Sequence, residues 1–272
     1  MEHVNCNICG LNRYQLLYAI DKYNVVKCRN CSLIYVNPRL TPSELEVLYE
    51  SVHYEKYKSP SYLEMRKWES LVDNIRIYKK GGKLLEVGCS TGNFLNIAKD
   101  YFEVYGIEIA RWSSKFAREQ HNLDIFKGTL EERNFPDSTF DIFFASELIE
   151  HLHNPSLFIE EAKRILKKDG LLALTTGNSH SIMAKLRKEK WRYFAPKYHL
   201  YYFSPKTIKD LLLRQHFKIL KFSGNMGLAV RNILSLFKHY HNKAIFFKDI
   251  GARIKIAGIY IGSSISVYAK RD

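Results

Sequence analysis

The stretch Lys83-Leu84-Leu85-Glu86-Val87-Gly88-Cys89-Ser90-Thr91-Gly92-Asn93-Phe94-Leu95 constrains this chain more than any other. A short apolar run ends in an acid, two glycines bracket a tight turn, and an apolar period then resumes. The pattern predicts a buried parallel strand, a glycine loop and the start of a helix. Lacking a Cβ, Gly88 and Gly92 let the backbone turn sharply and approach a ligand closely. Ligands of open α/β sheets bind outside the carboxyl end of such a strand. The spacing Gly88-x-Ser90-x-Gly92 departs from the dinucleotide fingerprint, and the Gly-Lys-Ser/Thr ending of a phosphate-binding P-loop is absent.

Beyond Leu95 the chain keeps an α/β rhythm. Val104-Tyr105-Gly106-Ile107-Glu108 reads as a second strand, ending in an acid 20 residues beyond Gly88. A carboxylate there can accept hydrogen bonds from both hydroxyls of a ribose. Phe140 through Ser146 is an apolar fourth strand, and Leu148-Ile149-Glu150-His151-Leu152 is expected to continue as a helix. Pro155 through Lys168 is amphipathic, Leu171–Thr176 is a fifth strand, Phe217–Phe222 a sixth, and Ser263–Tyr268 a last.

Over residues 81–222 these ordered motifs resemble class I S-adenosylmethionine-dependent methyltransferases. The glycine loop resembles the motif Glu/Asp-x-Gly-x-Gly-x-Gly, with Ser90 at the middle glycine. The passage from Phe140 to Leu152 resembles the fourth motif of small-molecule methyltransferases of the ubiquinone-biosynthesis type. The resemblance implies an α/β, Rossmann-like seven-stranded sheet whose last strand is antiparallel, and S-adenosylmethionine as cofactor. It further implies cofactor contacts at Glu86, Gly88, Cys89, Ser90, Gly92, Glu108 and Ile109. Thr129 and Leu130, after the Ile125 segment, match positions beside the adenine; Ser146 and Glu147 match positions beside the methionine moiety.

Cys6-x2-Cys9 and Cys28-x2-Cys31 form two pairs separated by 18 residues. Each pair sets two thiolates on one turn, and the two turns together complete a closed tetrahedral zinc site of the structural kind. Four of the five cysteines sit here, and with no secretory features metal is expected over disulfides. A zinc-ribbon-like module is therefore expected at 1–38. A helical cap at 39–80 opens on Thr41-Pro42-Ser43-Glu44, and a catalytic domain fills 81–272. Tyr54 and Tyr57, in the cap, can touch a ligand or simply pack half-buried.

Charge is unevenly distributed. Residues 1–182 carry 23 Lys+Arg against 24 Asp+Glu, whereas residues 183–272 carry 19 against 4. The surplus suggests an anionic partner, such as an acidic small molecule, a sugar or lipid-linked substrate or a nucleic acid, or else a merely solvated basic face. Part of it falls in an apolar, basic insert at 225–262, which can lie on an anionic membrane or pack as a lid or dimer contact. With no leader and no apolar run long enough to span a bilayer, the expected location is cytoplasmic, at the inner membrane face if the insert binds lipid.

Methyl transfer to a hydroxyl benefits from a general base near neutrality, and histidine is the usual choice. His151 and His199 are the two candidates; each also reads as a packing residue. His153, His239 and His241 are expected to be solvated. Glu147 can bind substrate or cap the following turn. The module in front and the loop His199-Leu200-Tyr201-Tyr202-Phe203-Ser204-Pro205 behind resemble a bacterial group associated with sugar, lipopolysaccharide or capsule modification; a hydroxyl acceptor (O-methylation) is the expectation, with carbon and nitrogen acceptors left open. Two alternatives stay open: a zinc-ribbon RNA methyltransferase, favoured by the basic third, and a non-catalytic module that kept the fold.

Overall fold

The computed structural model describes residues 1–45, 59–225 and 263–272. Tyr54, Tyr57, His239, His241 and the expected insert beyond Asn225 lie outside the described residues. Seven strands make the main sheet: β4 (Lys83–Val87), β5 (Glu103–Glu108), β6 (Asp124–Lys127), β7 (Phe140–Ser146), β8 (Leu166–Gly177), β10 (Phe217–Asn225) and β11 (Ser264–Arg271). Their order is β10-β11-β8-β7-β4-β5-β6. The run from β6 to β8 is parallel, while β11 pairs antiparallel with both β8 and β10. The expected Rossmann-like sheet with an antiparallel last strand is therefore the observed one. The chain winds outward from β4 through β5 and β6, then crosses back to β7. That reversal opens a crevice at the carboxyl end of β4.

Neighbouring residues of a strand face opposite sides, and β4 shows the consequence. Leu85 and Val87 join one apolar cluster, with Phe143 and Ala145 of β7, whereas Leu84 joins the other, with Ile142 and Phe144. Helices α1 (Tyr62–Tyr78), α2 (Asn93–Ala98) and α3 (Arg111–His121) cover the Leu84 face. Ser61 and Glu64 close a capping box at the start of α1, which buries Leu71, Val72 and Ile75 along one stripe. Phe94 of α2 stacks on Phe144 at 4.2 Å. A short α4 (Leu130–Arg133) follows β6, while α5 (Pro155–Ile165) and α6 (Pro205–Arg214) cover the opposite face.

The cysteine-rich segment folds as β1 (Tyr14–Ile20), β2 (Tyr23–Cys28) and β3 (Ile34–Val36), all antiparallel, and β9 (Tyr201–Tyr202) adds a fourth strand from the other end of the chain. Val25, Leu33 and Tyr35 pack into the same apolar cluster as Leu85 and Phe143. The segment is thus docked on the sheet by a shared core.

Two expectations need correction. Leu148–Leu152 is not a helix of its own: only Ile149–His151 makes a single 3-10 turn. Asn154 caps a new helix by accepting from the Leu157 amide, and the Glu150 carbonyl accepts from the Leu200 amide instead of continuing a helical ladder. His153 is half-buried and not solvated, because its Nε2 bonds the Leu40 carbonyl at 3.1 Å. No described helix is long and apolar enough to cross a membrane.

Gly92 starts α2 at φ +74°, and a Cβ there would lie 2.6 Å from Leu123 Cδ1 and 2.9 Å from Ala117 Cβ. Left-handed backbone and overpacking each penalise a side chain. Gly92→Ala is expected to cost roughly 2–4 kcal/mol of unfolding free energy, read from denaturant melts. Unchanged stability would contradict this seat for the loop.

Candidate active site

Two groups of residues meet at the carboxyl ends of the parallel strands. The first lies over β4 and β5. Leaving β4, the amides of Gly88 and Cys89 both donate to the Ile107 carbonyl, at 2.8 and 3.0 Å. Gly88 adopts φ +74°, and Ser90 adopts φ 49°, a left-handed conformation that glycine takes without strain. The Ser90 amide donates to Glu108 Oε2 at 2.8 Å, and the Ala110 amide donates to Glu108 Oε1 at 2.7 Å. Glu108 therefore holds the loop as well as ending β5. Burial raises its carboxyl above the usual range, partly offset by the Ala110, Ser90 and Ile109 amides. The carboxylate still has lone-pair capacity for a ligand hydroxyl.

Glu86 lies one residue behind the loop, buried, with Oε2 unpartnered among the described residues. Burial, then the nearby Glu108, pushes its pKa well up. Cys89 is buried beneath the loop, its thiol pushed up by burial and by both acids. Ile109 leaves an exposed apolar side chain beside Glu108. The Gly128 amide reaches the Glu108 carbonyl at 3.1 Å, which brings Thr129 alongside. The Thr129 hydroxyl caps α4 through the Glu132 amide, and Leu130 is buried. A left-handed glycine cradle, a buried acceptor at the end of β5 and an orphaned buried carboxyl oxygen fit a ribose-bearing, cationic cofactor. Glu86, Gly88, Cys89, Ser90, Gly92, Glu108, Ile109, Thr129 and Leu130 all belong to this half.

The second group lies at the ends of β7 and β8. A Cβ on Gly88 would come within 3.0 Å of Leu148 Cδ1, so the two halves adjoin. Ser146 Oγ and Thr175 Oγ1 bond at 2.8 Å, and Thr175 Oγ1 also donates to Glu147 Oε1 at 3.3 Å. Glu147 sits at φ 52°, unusual outside glycine, with its amide on the Thr175 carbonyl. Strained residues of this kind cluster at functional positions. Lys67 Nζ of α1 approaches Glu147 to 4.0 Å.

His151 and His199 come together although 48 residues separate them in sequence. Their rings meet edge to face at 4.6 Å. Each Nδ1 donates to a backbone carbonyl: His151 to Tyr198 at 3.1 Å, and His199 to Tyr193 at 2.8 Å. That bond fixes Nε2 as the basic nitrogen of each ring. Burial, followed by the His199 neighbour, holds His151 down at about 3. Burial also lowers His199, while the Tyr193 carbonyl and Glu147 pull it back up. Both rings are neutral at pH 7.

Several participants were not singled out from the sequence. Glu150 is buried, accepts from Thr176 Oγ1 at 2.9 Å, and is raised to about 8 by burial and then by Glu147. Thr176, Gly177, Trp191, Tyr193, His199 and Tyr202 close around it, leaving no space for a water. Glu150 Oε1, Trp191 Nε1 and Tyr202 OH lack partners among the described residues. The Glu-His dipeptide was a signal for Glu150; Trp191 and Tyr193 carry none, because only the tertiary fold returns them to the strand ends. Glu150, His151 and His199 each present a donor atom within 4.8 Å of the others, a set that also suits a divalent cation.

A third constellation is the cysteine cluster. All four thiols are free, with donor atoms within 4.8 Å of one another. Cys6 and Cys31 are 3.3 Å apart, Cys9 and Cys28 3.6 Å. Sulfurs on one tetrahedral zinc are separated by roughly 3.8 Å, so the donor set fits that ion and leaves no open position.

Residues 61–221 match the family described as "Methyltransferase domain", more than half of the chain. An uncharacterised protein of Methanocaldococcus jannaschii is 28% identical over 154 residues, 57% of this chain and 73% of its own. The 2-methyl-6-phytyl-1,4-hydroquinone methyltransferase of Synechocystis is 34% identical over 36% of this chain and 33% of that one. The ubiquinone biosynthesis O-methyltransferase of Pelagibacter ubique is 29% identical over 36% and 43%. The chain thus spans less than half the length of these two named relatives. Among solved structures, a SAM-dependent methyltransferase of Archaeoglobus fulgidus superposes with a TM-score of 0.57 at 20% identity, over 83% of this chain and 99% of that one. At that identity the likeness speaks for the fold. The glycine cradle, the strand order and the match over residues 61–221 converge, and the chain belongs to the methyltransferase-domain family as an S-adenosylmethionine-dependent enzyme.

Proposed function

We propose that this enzyme methylates a hydroxyl of a small-molecule, glycan or lipid-linked acceptor, as in cell-surface polysaccharide or related biosynthesis. The observation that carries the reading is the buried, neutral histidine pair at the ends of β7 and β8, beside Glu147. The bound cofactor supplies an electrophilic methyl group on a sulfonium. A hydroxyl nucleophile must be held in line with that methyl and must lose its proton, and alignment alone is worth several kcal/mol. His199 is the better base, since Glu147 partly counters its burial; His151, held down at about 3, orders the pair. The basic third of the chain supports an anionic acceptor, and the sequence of the insert supports peripheral contact with an acidic membrane. Nucleic acid is the second choice, because nothing in the described site favours a base.

The test is a screen of glycan and lipid extracts for a mass gain of one methylene with labelled cofactor. His199→Gln should abolish most turnover while cofactor affinity holds. Because burial depresses His199, its basic form prevails at neutrality, and turnover should fall only on acidification below the ordinary histidine value, ~6.5. Full turnover by His199→Gln would remove the base assignment, and a strict need for added divalent cation would give the Glu150-His151-His199 set a metal-holding role.

For the cofactor half, Glu108→Gln replaces one acceptor oxygen with a donor facing the Ser90 or Ala110 amide. S-adenosylmethionine binding should weaken by roughly 1.5–3 kcal/mol, measured by calorimetry on a folded variant. Unchanged affinity would reject the ribose role.

The cysteine cluster is proposed to hold one structural zinc per chain. Four crowded thiols resist joint ionisation; a dication offsets that repulsion and contributes folding free energy directly. Elemental analysis of protein purified under reducing conditions should find about one zinc per chain, and chelation should unfold the β1–β3 segment. Metal-free protein with β1–β3 intact would refute it.

A further inference from the structure

Hydrogen bonds that leave residues 1–40 for the methyltransferase sheet land, among the described residues, on two short stretches: 153–156 and 200–206. Asn7, inside the first Cys-x2-Cys turn, donates from Nδ2 to Asn154 Oδ1 at 2.9 Å. Its own Oδ1 accepts from the Ser156 amide at 2.9 Å, and its carbonyl accepts from the Ser156 hydroxyl at 2.7 Å. Arg39, buried, donates through Nη1 to the His153 carbonyl and to Tyr201 OH, both at 2.8 Å, while its Nε pairs with Glu2. The Leu40 carbonyl holds the His153 ring.

The link nearest the histidines runs through Leu200. Its carbonyl accepts from the Val36 amide at 2.9 Å, and its amide donates to the Glu150 carbonyl at 2.8 Å. The residue next to His199 is thus clamped between β3 and the turn that carries Glu150 and His151. Tyr201 and Tyr202 then extend β3 as a strand of two residues. A pair of strand residues and a single 3-10 turn have too few internal bonds to hold their own shape. The glycine loop, by contrast, is held by Ile107 and Glu108 within the sheet domain.

We propose that the cysteine module is the positioning element of the acceptor half: its folded state, through Asn7, Val36 and Arg39, seats His199 beside the Glu150-His151 turn, while the cofactor half stands without it. Its consequence for catalysis rests on the histidine reading above; its structural content does not. Arg39 is a positioning residue that touches neither the cysteines' sulfurs nor the reacting groups.

The test is hydrogen exchange with mass spectrometry on the full chain, in three states: zinc-loaded, chelator-treated, and Arg39→Gln, with Arg39→Lys as the conservative control. In the chelated protein and in Arg39→Gln, amides of 149–153 and 199–203 should exchange about tenfold faster or more, as local opening allows. Those of 84–95 and 105–108 should stay protected, and S-adenosylmethionine affinity should remain within about twofold. Arg39→Lys, which keeps a cationic donor, should recover part of the protection, and zinc added back after chelation should restore it. Equal protection of 199–203 in all states would overturn the proposal. So would loosening of the glycine loop to the same extent, which marks general destabilisation. If the exchange pattern holds while His199→Gln keeps full turnover, the coupling stands and the histidine reading falls.

Discussion

The whole arrangement depends on one backbone carbonyl. Ile107, the penultimate residue of β5, accepts from both Gly88 and Cys89, so the loop leaving β4 must fold across the neighbouring strand. That bend carries Ser90 into reach of Glu108 and closes a ring of charge-assisted bonds over the crevice. Only a parallel β4–β5 pair in the observed register, with Val87 opposite Ile107, puts carbonyl and loop at the same level. Ser90 keeps its left-handed conformation because its amide is repaid by a carboxylate, which explains how a non-glycine residue occupies this turn.

Buried acids mark the rest of the crevice. Glu86 is the penultimate residue of β4, Glu108 ends β5 and Glu150 follows β7; all are buried, and burial raises the pKa of each. An isolated buried carboxyl costs stability that an apolar residue of similar size would not. Their retention at one edge of the sheet follows the pattern of functional sites, where perturbed groups collect. Glu150 near 8 stays protonated at neutrality, so it can donate or accept without carrying charge next to Glu147. The neighbouring histidines stay neutral for the same dielectric reason, with the opposite sign of shift.

The sheet was legible from sequence because its signals are local. Most parallel strands are apolar runs that end at or just before Gly, Glu or Ser, and the longer helices between them carry clear periodicity. The cysteine spacing was legible for a similar reason. What escaped was everything set by long-range return of the chain. β1 alternates too weakly to announce a strand, with Leu16 exposed and Tyr14 only half-buried. β9 is two tyrosines whose pairing with Ile34 and Tyr35 spans most of the sequence. The helix expected at Leu148–Leu152 failed because its periodicity was real but its backbone partners lie elsewhere, on Leu200. The half-burial of His153 has the same origin, since Leu40 comes from the N-terminal segment.

The two halves of the site therefore differ in what supports them. The cofactor half is made of strand ends and one loop, braced by bonds that span a few tens of residues within a single sheet. Its geometry follows once β4, β5 and β6 pair, and any chain with that alternation obtains it. The half proposed to hold the acceptor is made of a 3-10 turn, a long aromatic loop and a two-residue strand, elements without internal cooperativity. They acquire a fixed shape only by packing Trp191, Tyr193, Phe194 and Tyr202 together and by borrowing β3 as a template. A site whose chemistry is common to a family can be built on the common sheet, whereas a site that selects an acceptor needs walls that vary. Here the 3-10 turn and aromatic loop are poorly self-supporting, and a compact module whose own core merges with the sheet's packs directly against them.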